Sequence, residues 1–295
     1  MAFGTHYTQV KRPNLFIVGA PRCGTGSLWT YLRRHPEIFM SEEKELYFFD
    51  SDLREKPGPS LGEYLRHFAG ADGQKWVGEA TPSYLRSRAA PAAIRQFSPE
   101  ARIVIMLRNP VDVMHSLHNA ALYRREPITD FAAALDADAR RNGRDRIGYR
   151  EFTDFPEQVQ RYFDVFGREQ VHVIIYEDLR LDAAAVGRNT LCFLEVRNDI
   201  AWEFPWVHAN KQVRSPRLEK MLSRPPNALL RMARVLAPRQ LRSRMRWGLL
   251  RSNAAVAPRS QIQPELRRRL QLEMQPKIQQ LGKLLNRDLT AWCRD

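Results

Sequence analysis

A parallel α/β sheet of P-loop-like type, flanked by helices on both faces and followed by a basic helical C-terminal region, is the fold this sequence predicts. Strand-like apolar runs alternate with helical stretches from about residue 15 to 195, the pattern of strands buried on both faces by crossover helices. The first apolar run passes straight into Gly19-Ala20-Pro21-Arg22-Cys23-Gly24-Thr25-Gly26-Ser27, a glycine-rich turn ahead of a helix. With 43% hydrophobic residues in 295, the chain has enough apolar material for one large core.

Leu15 to Gly19 reads as the first strand, ended by Gly-Ala-Pro. Ser27 to Arg34 has helical spacing, and His35-Pro36 stops it. Residues 51–75 mix charged, Gly and Pro residues, reading as loop with a short helix. Trp76 to Glu79 is a short strand and Pro91 to Phe97 a helix. Arg102 to Leu107 is the clearest buried strand, and Val111 to Leu122 has helical spacing after Pro110. Helix follows at Pro156 to Phe166, strand at Val171 to Tyr176, helix at Ala183 to Leu194. Gln263 to Trp292 closes the chain as one long helix with an apolar face. Ligands of such sheets bind beyond the carboxyl ends of the strands, so the stretches at 19–27, 79–84 and 108–116 should converge. We expect one domain over residues 1–295, with its core at about 14–200 and a basic lid and helical region at about 205–295.

The formal charge of +14 is concentrated. Between Lys211 and Arg251 stand twelve Lys or Arg residues and one acid, Glu219. This is a basic segment on an otherwise nearly neutral chain. Residues 227–250 interleave apolar side chains with arginines, which suits a lid over the site or an interfacial helix touching an anionic membrane. No stretch approaches the roughly 18 unbroken apolar residues of a membrane span, and residues 1–14 carry no apolar signal stretch. The expected location is cytoplasmic or peripherally membrane-associated. Three scattered cysteines, Cys23, Cys192 and Cys293, form neither a disulfide framework nor a zinc spacing. Cys23 invites a nucleophile reading, but no Cys-His-Asn set accompanies it, and a small residue filling the turn is the expectation.

The turn at 19–27 aims backbone N–H groups and a helix N-terminus at one point, where an oxyanion is attracted. It is not an ATP loop of the G-x-x-x-x-G-K-[ST] kind. Thr25 stands at the lysine position, and the cation has moved to Arg22. Arg108, at the end of the clearest strand, and Ser116, eight residues later, form a pair able to grip a second phosphate. The run Glu42-Glu43-Lys44-Glu45-Leu46-Tyr47-Phe48-Phe49 joins charges to aromatics. Its bland reading is a solvated turn before core aromatics. Its functional reading sets one carboxylate against an apolar wall, with its basicity raised by desolvation.

Together these motifs resemble the sulfotransferases that use 3′-phosphoadenosine 5′-phosphosulfate (PAPS), nearer to the heparan-sulfate and Golgi-type branch and bacterial relatives than to the cytosolic steroid and phenol enzymes. Ala20 to Leu28 resembles the 5′-phosphosulfate loop. Lys44-Glu45-Leu46-Tyr47-Phe48-Phe49 resembles the K-E-P-x-F-F element, and Arg108-Asn109-Pro110-Val111-Asp112 through Ser116 the 3′-phosphate element. Gly78-Glu79-Ala80-Thr81-Pro82-Ser83-Tyr84 resembles a fourth element between them. The similarity covers about residues 14–195.

The resemblance implies transfer of a sulfuryl group from PAPS to a hydroxyl or amine of a carbohydrate or small metabolite, leaving 3′-phosphoadenosine 5′-phosphate (PAP). It implies Glu45 as general base. Arg22 takes the loop lysine's place, as in the tyrosylprotein branch. Cys23, Gly24, Thr25, Gly26 and Ser27 line the 5′-phosphosulfate, and Arg108 and Ser116 hold the 3′-phosphate. In the family a late basic loop closes over that phosphate, which makes Lys211, Arg214 and Arg217 candidates. No metal is implied, because protein cations face the leaving phosphate, and no nucleic-acid partner is expected. Two departures stand out. Gly26 replaces a hydroxyl residue, and Ala80 stands where heparan-type enzymes often carry a lysine. The rival readings are a P-loop kinase or ATPase, and a non-catalytic nucleotide-fold protein binding anionic surfaces through its basic segment.

Overall fold

Five parallel strands form the central sheet of the computed structural model, in the order β2-β3-β1-β4-β5. The structure describes residues 12–123, 127–141, 147–199, 211–213, 254–256 and 261–294. The strands are β1 (Leu15–Gly19), β2 (Ile38–Met40), β3 (Trp76–Ala80), β4 (Arg102–Leu107) and β5 (Val171–Ile175). β1 pairs with β3 from Leu15 opposite Gly78, and with β4 from Leu15 opposite Arg102. All five residues of β1 and of β3 are buried, as are Ile103 to Leu107 of β4, which explains the continuous apolar sequence of β1 and of Ile103 to Leu107; β3 also buries the carboxylate of Glu79. With β1 between β3 and β4, the three turns leaving their carboxyl ends emerge side by side.

Helix α1 (Thr25–Leu32) follows β1, two residues earlier than its apolar spacing suggests, because Gly24 already serves as its N-cap with φ 95°. A side chain there would be strained, and its Cβ would stand 3.2–3.3 Å from Met106 and Tyr176. Helices α2 (Leu61–Arg66), α3 (Ala90–Phe97) and α4 (Pro110–Tyr123) come next. A capping box of Ser60 and Glu63 starts α2 within the stretch read mostly as loop. After α4 come α5 (Phe131–Arg140), α6 (Tyr149–Phe152), α7 (Phe155–Phe166), α8 (Tyr176–Leu181) and α9 (Ala183–Phe193).

The long C-terminal helix is shorter than expected. Helix α10 spans Pro264–Leu285. Asn286 adopts the left-handed conformation that ends it, with φ 51°, and a separate 3₁₀ turn covers Thr290–Cys293.

The chain groups into two units. One comprises 1–117, 130–208 and 262–295, and holds the sheet. Helix α10 belongs to this unit: Lys277 pairs with Asp154 at 2.7 Å and Arg267 with Asp112 at 2.8 Å. The other comprises 118–129 and 209–261. Its described part includes an antiparallel pair, β6 (Lys211–Val213) and β7 (Ala254–Val256). Arg214, Arg217 and the segment 227–250 lie outside the described residues, as does the side chain of Lys211. Among the described residues no helix is long and apolar enough to cross a membrane.

Candidate active site

The turn after β1 fixes the site's first pole. Arg22 sits in the left-handed region, φ 67°, a conformation that a non-glycine residue holds only where its surroundings enforce it. Ala20 N–H donates to Met106 O at 2.6 Å and Ser27 N–H to Gly24 O at 2.9 Å. Helix α1 has no side-chain cap, which leaves the Thr25 and Gly26 N–H groups of its first turn for an incoming anion. Thr25, Gly26 and Ser27 occupy that first turn and are buried.

Cys23 is fully buried. Burial pushes its thiol well above the ordinary range, against the nearby charge of Arg108. A thiol so placed is a packing group rather than a nucleophile.

The second pole rises from the end of β4. Arg22 Nε donates to Ser116 Oγ at 2.8 Å, joining two sequence elements 94 residues apart. Arg108 is buried, lies 4.9 Å over the Tyr176 ring and pairs with Asp112 at 3.1 Å. Asp112 also receives Arg267 Nη2 at 2.8 Å. Burial disfavours the Asp112 anion, yet the hydrogen bond from Arg267 and the charge of Arg108 hold its carboxyl below the usual range. Arg108 is therefore clamped and oriented. Arg267 and Tyr176 are members of this pole that spacing did not single out, because they come from α10 and α8, distant in sequence.

The third component is the segment after β2. Ser41 N–H donates to Gly78 O at 2.8 Å, Glu45 N–H to Ala80 O at 2.9 Å and Leu46 N–H to Thr81 Oγ1 at 3.1 Å. The segment is thus laced along the end of β3. Lys44 Nζ lies 3.5 Å from Thr25 Oγ1 of α1. Phe48 stacks on Tyr64 at 4.2 Å, and Phe49 packs edge-on against Phe16, Tyr64 and Tyr84. Phe48 and Phe49 pack with the core, as the bland reading has it, while Tyr47 is exposed; Glu42, Glu43 and Glu45 stay at the surface and Lys44 is half-buried.

The apolar wall expected beside Glu45 is not there. Glu45 is exposed, with φ 62°, and the Tyr47 hydroxyl donates to its Oε2. Leu46, between Glu45 and Tyr47, points its bulk into the core instead.

The carboxylate walled in by aromatics is Glu79, at the end of β3. It is fully buried and accepts from Tyr64 at 2.6 Å, Thr81 at 2.6 Å and Tyr84 at 3.1 Å. Burial lifts its carboxyl to about 7, against the pull of those hydroxyls.

The turn at 19–27 therefore meets the 108–116 element through Arg22 and Ser116 and the 41–46 segment through Lys44 and Thr25, while Glu45 hangs on the strand that carries 79–84. A glycine-rich turn at a helix N-terminus, a clamped arginine and an exposed carboxylate share the carboxyl edge of one sheet. Among the described residues no group of three His, Cys, Asp or Glu is arranged to hold a metal.

Known proteins resemble this chain in the same terms. The family model for the sulfotransferase domain matches residues 12–282. A solved sulfotransferase from Alicyclobacillus acidocaldarius superposes with a TM-score of 0.75 at 29% identity, covering 96% of this chain and 100% of that one. Among curated proteins, heparan sulfate glucosamine 3-O-sulfotransferase 6 of Homo sapiens is 32% identical over 122 residues, 41% of this chain and 34% of that protein. The membrane-associated sulfotransferase kil1 of Dictyostelium discoideum is 30% identical over 103 residues, 34% of this chain and 21% of that protein. The matched stretch thus spans about a third or less of these two curated relatives.

Proposed function

Because the chain belongs to the sulfotransferase domain family, we propose that it moves the sulfuryl group of PAPS to a hydroxyl, or an amine, of a carbohydrate or small metabolite. The observation that carries this reading is the 2.8 Å bond between Arg22 and Ser116. It sets an anion-binding turn beside a second, clamped arginine, which suits a nucleotide with two separated anionic groups better than a linear triphosphate. The donor set fits PAPS: Arg22 and the first turn of α1 for the 5′-phosphosulfate, Arg108 and Ser116 for the 3′-phosphate.

In the proposed step, Glu45 takes the acceptor's proton as the acceptor atom bonds to sulfur. The bond from sulfur to the bridging oxygen breaks, and its electron pair stays on the 5′-phosphate. The loop N–H groups, Thr25 and Arg22 stabilise that developing charge. Arg108 and Ser116 fix the nucleotide so that donor and acceptor lie in line. The acceptor's class rests on the likeness to sugar-modifying relatives, and an acceptor of another class would leave the donor chemistry unchanged.

The test is calorimetric. PAP should bind and ATP with Mg²⁺ should not, and Arg108→Ala should weaken PAP by about tenfold or more. Equal binding of ATP–Mg²⁺ would favour phosphoryl chemistry, and unchanged PAP affinity in Arg108→Ala would remove that residue from the 3′-phosphate site. A transfer screen with [³⁵S]PAPS against a mixed extract then identifies the acceptor.

A further inference from the structure

Lys44 is a half-buried cation placed between the two ends of the proposed reaction. Its ammonium lies 3.5 Å from the Thr25 hydroxyl, on the first turn of α1. Its chain neighbour Glu45 is the proposed base. Among the described residues, none of the ion pairs includes Lys44; Glu45 acts on it through space only. Burial disfavours its charged form and lowers its pKa from the ordinary lysine value, with Glu45 opposing. A desolvated ammonium without a bonded carboxylate is costly, and an anion arriving beside it removes that cost.

The segment that carries Lys44 is held at both flanks, by Ser41 on Gly78 and by Glu45 and Leu46 on Ala80 and Thr81. Ala80, at the same strand end, contributes only a methyl group. Arg22, the cation inside the turn, is engaged through its Nε with Ser116, which draws it toward the second pole.

We propose that Lys44 is a catalytic residue whose ammonium contacts the sulfuryl group in transit between the turn at 19–27 and Glu45. The inference rests on the donor reading given above. It divides the positive charge between two groups. Arg22 serves the 5′-phosphate, and Lys44 serves the SO₃ oxygens as the acceptor–sulfur bond forms and the sulfur–oxygen bond to the phosphate breaks. The acceptor's proton goes to Glu45, the bonding pair goes to the bridging oxygen, and Lys44 keeps its proton throughout.

PAPS carries the sulfuryl group and PAP lacks it, so the two ligands separate this role from a general phosphate contact without any acceptor. The full chain and its Lys44→Met and Lys44→Arg variants would be titrated with each ligand, and slow conversion of PAPS to PAP by water would be followed. Methionine keeps the apolar stem and removes the charge. Lys44→Met is expected to weaken PAPS by about tenfold and PAP less than about twofold, and to slow conversion by about 10²-fold. Lys44→Arg should recover most of the PAPS affinity. Parallel losses for both ligands would assign Lys44 to the 5′-phosphate and overturn the proposal, as would no loss for either. If Lys44→Met fails to fold, Lys44→Arg and Lys44→Gln provide the same comparison, and equal PAPS-to-PAP ratios in these two overturn it. Wild-type protein that binds neither ligand would instead overturn the donor reading, and the role of Lys44 with it.

Discussion

Glu45 and Glu79 lie on adjoining segments, bound through the Glu45 N–H and Ala80 O bond of 2.9 Å, yet their surroundings are opposite. Glu79 is sealed among Tyr64, Thr81 and Tyr84, with its carboxyl lifted to about 7 by burial. Glu45 is exposed and bonded by a single neighbouring hydroxyl. Perturbed acidity is often taken as the mark of a catalytic group. Here the strongly perturbed carboxylate has no access to an acceptor, because its oxygens are turned into the aromatic core. The accessible one stands at the open edge beside the anion turn. Glu79 is bonded into the strand end; in the proposed reaction Glu45 is where the substrate proton goes.

The sharpest way to break this contrast is to neutralise each carboxylate and read two different properties. Glu45→Gln should lower turnover by roughly 10²–10⁴ while leaving PAP affinity and the urea midpoint near wild type. Wild-type turnover would end the base assignment. Glu79→Ala should act the other way. It strips three buried hydroxyls of their acceptor and leaves a void, costing roughly 2–4 kcal/mol in urea unfolding. A Glu79→Ala protein of normal stability but no turnover would exchange the two roles.

The contrast also marks what sequence reading reaches. The sheet was legible because β1 and most of β4 are continuous apolar runs, ended by glycine and arginine and buried along their length, with the short apolar start of β3 between them in sequence. The turn was legible because anion binding demands small residues in a row. β2 escaped notice, since three residues carry no period. Helix α5 escaped it too, although Asp130 accepts from Ala133 N–H at 2.8 Å as its N-cap. Arg22, Thr25, Arg108 and Ser116 were candidates from their local motifs and the resemblance those motifs carry, and the structure joins Arg22 to Ser116. Arg267 and the burial of Glu79 were not foreseen, because both depend on packing between distant segments. The environment of Glu45 was misjudged for the same reason: an aromatic run says that a core is near, not which neighbouring side chain faces it.

Stability against pH sharpens the comparison next. The folded carboxyl of Glu79 lies above its ordinary value of 4.5, at about 7, so the native state holds the proton more tightly than the unfolded chain. The resulting stability is fully present below about 4.5 and is lost as pH rises to about 7. Urea unfolding of wild type should therefore weaken across that interval by on the order of 1–3 kcal/mol. Glu79→Gln should flatten the interval. A slope that survives in Glu79→Gln would place the titrating group elsewhere.

The smallest expected effect concerns what orients Glu45. Tyr47 donates to the Glu45 carboxylate, and both residues hold left-handed backbone, with φ 52° and 62°. Two strained residues in three are kept only where the surrounding bonds enforce them. The bonds to Ala80 O and Thr81 Oγ1 hold the intervening chain. Tyr47→Phe removes the donated bond without touching that backbone. A lost hydrogen bond of this kind is worth about 0.5–1.5 kcal/mol, which corresponds to a fall in kcat of roughly 2- to 12-fold at unchanged KM for PAPS. The same substitution in a Glu45→Gln background should have almost no further effect on kcat, because the two side chains act as one unit. Additive losses in the double variant would show that the Tyr47 hydroxyl meets the acceptor on its own account, and that Glu45 is positioned by its backbone alone.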